Sequence, residues 1–144
     1  LGAIERILVA TPAYAKKRGR PKTPADLEKH DCLLFGNDAT LTLTRDGRRE
    51  ALSLSPRLLV TDMDVLESAV KDDLGIAVMP AFLCEKALRA RRLERMLPEW
   101  SPPSTPLHIV YPSTRHLSPT VRSFIDHVQE RMRLRLGEAR PESA

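Results

Sequence analysis

The chain has 144 residues and a formal net charge of +4 at pH 7, with a sequence pI near 9.4. Such a length builds one compact domain, or one lobe of a two-lobed domain, and leaves no room for two independent cores; so mild a charge falls short of the dense positive field of a dedicated nucleic-acid binder. No apolar stretch has the length to cross a bilayer and the first residues lack the charged-then-apolar order of a secretion signal, so a soluble, cytoplasmic protein without membrane contact is expected.

In chain order, Arg6 to Thr11 (RILVAT) is a nearly unbroken apolar run, the pattern of a strand covered on both faces in a parallel or mixed sheet. Pro12 ends it. A short helical turn follows to about Arg18 and stops at Gly19. Thr23-Pro24-Ala25-Asp26 then opens another helix, with Thr23 as cap, Pro24 at the first helical position and Asp26 reaching back as in a capping box. From Cys32 to Val60 the pattern is that of strands: CLLF, then TLTLT with Leu41 and Leu43 alternating, then ALSLS with Leu52 and Leu54, and Asp46-Gly47 as the tight turn before the last of these. Beyond Val60 the period changes. Thr61 or Asp62 caps a half-buried helix whose Leu66, Ala69, Val70 and Leu74 recur at helical spacing. Gly75 to Pro80 is a short buried strand. A helix from about Ala81 to Ala90 carries Leu83, Ala87 and Leu88 on one side and basic residues toward its end, where the helix dipole favours cations. Prolines between Pro98 and Pro106 mark an irregular crossing, and Leu107 to Tyr111 reads as a strand. Ser118-Pro119 starts a last helix with Val121, Phe124, Ile125, Val128 and Met132 on one face, and a disordered tail is expected from Gly137. Strands alternate with helices except at the Asp46-Gly47 hairpin, so the class is α/β, a mixed β-sheet flanked by helices.

Several motifs invite a chemical reading, and each has a plainer one. Lys16 to Lys22 contains Arg-Gly-Arg-Pro (18–21), which resembles the core of an AT-hook that lays arginines into the narrow minor groove of A·T-rich DNA. It occurs once and runs straight into a helix cap, so it reads as solvated surface. His30-Asp31-Cys32 would put a base beside a thiol, but neighbours in an extended segment point to opposite faces. Cys32 and Cys84 stand in apolar settings without paired spacing, so neither a disulfide nor a zinc site is expected. His108, His116 and His127 lack ligand-spaced partners. With no phosphate-cradling glycine loop and no Gly-x-Ser-x-Gly elbow, no enzymatic activity, no cofactor and no metal are expected.

Taken together and in order, a set of runs carries a family resemblance: ILVATPAY (7–14), GRPKTPADLEKHDCL (19–33), TLTRDG (42–47), LVTDMDVLESAV (59–70), LGIAVMP (74–80), LERMLPEW (93–100) and IVYPSTRHLSPTVRSFIDHV (109–128). The chain resembles the effector-binding domain of LysR-type transcriptional regulators, whose fold is similar to a type 2 periplasmic binding protein. By that resemblance residues 1–106 are the second lobe with its crossing strand, 107–136 are the strand and helix that return to the first lobe, and 137–144 are a tail. The rest of the first lobe, and the N-terminal helix-turn-helix through which the parent protein meets DNA, fall outside this sequence, so the apolar faces of 107–111 and 119–132 are expected to lack cover. Asp73 and Arg91 stand where the family commonly has glycine, and Leu41 where it often has tryptophan.

The resemblance also implies a small-molecule effector in an interlobe cleft. Carried over by position, its contacts are Thr11 and Pro12 at the end of the crossing strand and Thr61, Asp62 and Met63 at the start of a helix, with Val78 and Met79 nearby. A helix start presents unpaired N–H groups and partial positive charge that suit an anion, but the Asp62 carboxylate competes for them and leaves a polar or cationic effector open. Self-association into a homodimer or tetramer is implied through the strand residues Ile76, Ala77 and Val78 and the helix residues Leu83 and Ala87. A solute-binding module of an uptake system would share this fold and is the alternative reading, with a minor-groove contact through the Arg-Gly-Arg-Pro run behind it.

Overall fold

Residues 2–111 and 118–136 are described by the structure, a computed structural model; His116 and the tail from Gly137 lie outside them. The elements in chain order are β1 (Gly2–Ile4), β2 (Arg6–Ala10), α1 (Pro12–Arg18), a 3-10 turn (Pro24–Lys29), β3 (Cys32–Phe35), β4 (Thr40–Arg45), β5 (Arg48–Ser53), β6 (Leu58–Val60), α2 (Met63–Lys71), β7 (Ile76–Pro80), α3 (Ala81–Arg89), β8 (Glu94–Met96), β9 (Thr105–Leu107) and α4 (Pro119–Leu136). They form two compact units, one from Arg6–Pro103 and the other from both chain ends, 2–5 and 104–136 of the described residues. The first residues group with the C-terminal segment. No helix among the described residues is long and apolar enough to cross a membrane.

The larger unit is built on a five-stranded sheet in the order β6-β3-β7-β2-β8. β3 runs parallel to β6 and β7, while β2 runs antiparallel to β7 and β8, so the sheet is mixed. The unbroken apolar runs are explained by cover on both faces. On one face Leu8, Ala10, Leu34, Ile76 and Val78 pack with Tyr14, Leu27, Trp100 and the β4–β5 residues Leu41 and Leu43. On the other, Ile7, Val9, Leu33, Ala77 and Met79 pack under Leu66 and Val70 of α2 and Cys84 of α3. Leu41, in the place of the family's tryptophan, is buried in the first of these clusters. The β4–β5 hairpin turns at Asp46 and Gly47, both with positive φ (49° and 77°), as the mirror-image turns matched to strand twist require. Thr23 and Asp26 do form a capping box.

Strand β7 lies between β3 and β2. Ile76, Ala77 and Val78, the strand residues expected to take part in self-association, are at most 7% exposed and the edges of β7 are already paired, so no ladder is open there for another strand. In the smaller unit β9 begins before the strand expected at Leu107–Tyr111. Gly2 to Ile4 supply a partner for Thr105 to Leu107, and His108 to Tyr111 belong to no strand. α4 forms as expected and has no buried residue; Phe124 is 67% exposed and Val110 91%.

Candidate functional site

Strand direction decides which residues meet. Because β3, β6 and β7 run parallel, Phe35, Val60 and Pro80 end at one edge of the sheet, and Arg6, which pairs with Pro80, starts β2 there. Thr11, just past the end of β2, is therefore at the opposite end from Thr61. Arg6 Nε donates to the Pro103 carbonyl at 2.9 Å, so the chain enters and leaves this unit at the carboxyl ends of its parallel strands. Ligands of open α/β sheets sit beyond such ends.

An open hollow of about 500 Å³ lies at this end, lined by Gly36, Asn37, Leu59, Val60, Thr61 and Asp62. Gly36 N–H donates to Val60 O at 2.8 Å, which extends the β3–β6 pairing and brings the two lips together. The cap of α2 is Asp62, not Thr61: one carboxylate oxygen accepts from the N–H groups of Asp64 at 2.8 Å and Val65 at 3.2 Å. Two of the first-turn donors that an anionic ligand would use are thus filled by the protein's own carboxylate, and Asp64 adds a second negative charge in that turn. Thr61 takes no part in the cap and is exposed. Asp62→Ala should cost about 1 kcal/mol of stability by loss of the cap, read as a lower urea midpoint, with Asp62→Asn retaining most of it.

The structure does not bring Thr11 and Pro12 to this hollow. Thr11 is 8% exposed; its hydroxyl accepts from Tyr14 N–H at 3.2 Å as the cap of α1 and donates to the Asp73 carboxylate. Both bonds stay within the fold. Thr11, Pro12 and Met79 instead line a separate hollow with Leu83, Ala87 and Arg92. Met63 is half-buried against the α2 side of the core, and Val78 is buried on the opposite face of the sheet. Residues the sequence reading missed, Gly36 and Asn37, follow a strand end with no distinguishing pattern; only the pairing of β3 with β6 selects them.

The motifs judged plain have structural partners. Arg20 makes a two-pronged ion pair with Glu94, the shortest contact being 2.8 Å. Cys32 Sγ donates to Leu27 O at 3.4 Å, and burial, with Asp31 adding to it, pushes the thiol up to about 11, far from a thiolate nucleophile. The Tyr14 hydroxyl accepts from Asp31 N–H at 3.1 Å and lies 3.0 Å from His30 Nδ1. Burial first, and then the Arg18 charge, hold His30 below its ordinary value of 6.5, against Asp26 and Asp31. The unfolded chain then binds this proton more readily than the folded one, so His30 favours folding above the unfolded value and that contribution is lost as pH falls. The melting temperature should drop between about pH 7.5 and about pH 5.5, and His30→Gln should shrink the drop; a drop unchanged by the substitution would clear His30 of it.

A mixed sheet covered on both faces, with an open hollow at the carboxyl ends of its parallel strands, is the architecture of the periplasmic-binding-protein-like α/β class. The profile of the LysR substrate-binding domain matches residues 1–133, and the chain belongs to that family. It is 32% identical over 133 residues to the probable HTH-type transcriptional regulator LtrA of Klebsiella pneumoniae, covering 88% of this chain and 43% of that protein. With the HTH-type transcriptional regulator PtxR of Pseudomonas aeruginosa it shares 30% identity, covering 89% of this chain and 42% of PtxR. The chain thus spans less than half the length of these relatives. Among solved structures it is similar to full-length AphB, the Vibrio cholerae virulence activator, with a TM-score of 0.81 and 28% identity over 90% of this chain and 46% of that one. The regulatory domain of AphB from Vibrio vulnificus gives a TM-score of 0.76 and 30% identity, covering 91% of this chain and 66% of that one.

Proposed function

We propose that this chain is the effector-sensing region of a cytoplasmic LysR-type transcription regulator, and that a small polar or cationic metabolite seats in the hollow at Gly36, Asn37, Thr61 and Asp62. The observation that carries the reading is the hollow's place at the carboxyl ends of β3 and β6, with Asp62 occupying two N–H donors of α2 and Asp64 beside it. A free anion there would meet the carboxylate charge of Asp62 and Asp64; an amine or a hydroxyl-rich ligand would be received by Thr61, Asn37 and the carboxylates. The ligand controls transcription to the extent that it favours one arrangement of the parent protein, whose DNA contacts belong to a helix-turn-helix outside this sequence. Self-association is assigned to the outer face of α3, where Phe82 is exposed (43%).

The test is a thermal-shift screen of matched neutral, cationic and anionic metabolites, followed by calorimetry of the best stabiliser. Neutral polar or cationic compounds should dominate, and Thr61→Ala should weaken the best of them about tenfold, as loss of one hydrogen bond to the ligand does. A predominance of anions, with affinity indifferent to Thr61→Ala, would overturn both the site and the ligand class.

A further inference from the structure

We propose that the hollow on the α2–α3 side of the sheet is a second, independent binding site, for a small amphipathic anion such as an aliphatic or aryl carboxylate. It encloses about 520 Å³, the size of pocket that takes a ligand of roughly ten to twenty heavy atoms, and shares no lining residue with the hollow at Thr61. Its chemistry is divided. The floor is Met79, Cys84 and Leu93, each at most 4% exposed, and Leu83 and Ala87 form an apolar wall from α3. The rim is cationic: Lys86 and Arg92 have no carboxylate within ion-pair distance among the described residues, whereas Lys71 is already bonded to Glu67.

Both halves of that division constrain the ligand. The Thr11 hydroxyl at the border is committed to Tyr14 and Asp73, and the floor presents no free polar side chain, so a ligand must bury an apolar body and keep its polar group at the rim. There it meets two unneutralised cations, which attract an anion and repel an amine. The Cys84 thiol is pushed up to about 11 by burial, so binding is non-covalent. A purely apolar ligand would leave the rim charges unused, and an inorganic anion would leave the floor wet.

Octanoate is the probe, with octylammonium as its charge-reversed match, each titrated calorimetrically into the full chain and followed by amide chemical shifts. Octanoate should shift the amides of Ala87, Arg92 and Leu93 and bind at least tenfold more tightly than octylammonium. The exposed pair Lys86→Glu and Arg92→Glu should reduce its affinity tenfold or more with the far-ultraviolet spectrum unchanged. Leu83→Trp, which fills the hollow without altering charge, should also abolish binding. Thr61→Ala should leave octanoate binding unaltered, which separates this site from the effector hollow: either can fail without the other. The proposal is overturned if the two probes bind alike, if the charge reversals have no effect, if octanoate shifts only the exposed face of α4, or if no binding is seen. It is likewise overturned if affinity falls as protein concentration rises, since a second copy of the chain would then be the occupant.

Discussion

Gly75→Ala is expected to cost about 3 kcal/mol or more, at the severe end of overpacking effects. A Cβ at this position would stand 2.1 Å from the backbone oxygen of Asp31 and 2.9 Å from its carbonyl carbon. No rotamer relieves that contact, because the obstructing atoms are main chain. The same Asp31 oxygen accepts the N–H of Ile76 at 2.8 Å, the bond that leads into the parallel pairing of Cys32 with Ile76 and Leu33 with Ala77. Moving the segments apart breaks that bond and withdraws Leu33 and Ala77, both fully buried, from the centre of the sheet. The urea midpoint should fall steeply at unchanged denaturant slope; a midpoint equal to the parent's would mean that β3 and β7 are not apposed in this way.

Leu66→Ala is expected to cost about 3 kcal/mol, within the range for deleting a buried leucine from a core that only partly collapses around the gap. Leu66 is fully buried and packs from α2 into the cluster that contains Ile7, Val9 and Leu33. Val65, its neighbour on the same helix, is 46% exposed, so Val65→Ala should change stability by no more than about 0.5 kcal/mol. The contrast separates packing from helix propensity, since both substitutions introduce the best helix former. Leu66 also bears on function, because α2 holds the Asp62 cap at its start. The variant should therefore weaken ligand binding at the Thr61 hollow as well as stability; equal stability of the Leu66 and Val65 variants would remove α2 from the core.

Much of the fold was legible because the local signals are strong and agree. The apolar run at Arg6–Ala10, the capping residues Thr23 and Asp62, and the Asp46-Gly47 turn each act within a few residues. Even the departures from glycine are accommodated: Asp73 and Arg91 take positive φ (61° and 55°), and Asp73 gains the hydroxyl of Thr11 as a donor. What was not legible depends on partners distant in sequence. Nothing in RILVAT says that this strand runs against β3, yet that direction alone puts Thr11 at the far end of the sheet from Thr61. An apolar strand such as Ile76–Pro80 likewise carries no mark of lying centrally or at an edge. The three-residue strands β1 and β8 are too short to show a period, and β8, with Glu94 and Arg95, is too charged to stand out as an apolar run.

The most direct measurement is an amide chemical-shift map of this chain with the strongest stabiliser from the metabolite screen. The largest shifts should fall on Gly36, Asn37 and Thr61 to Asp64, and should be lost in Thr61→Ala. Shifts that leave those amides unmoved by every compound in the screen would contradict recognition at the carboxyl ends of β3 and β6.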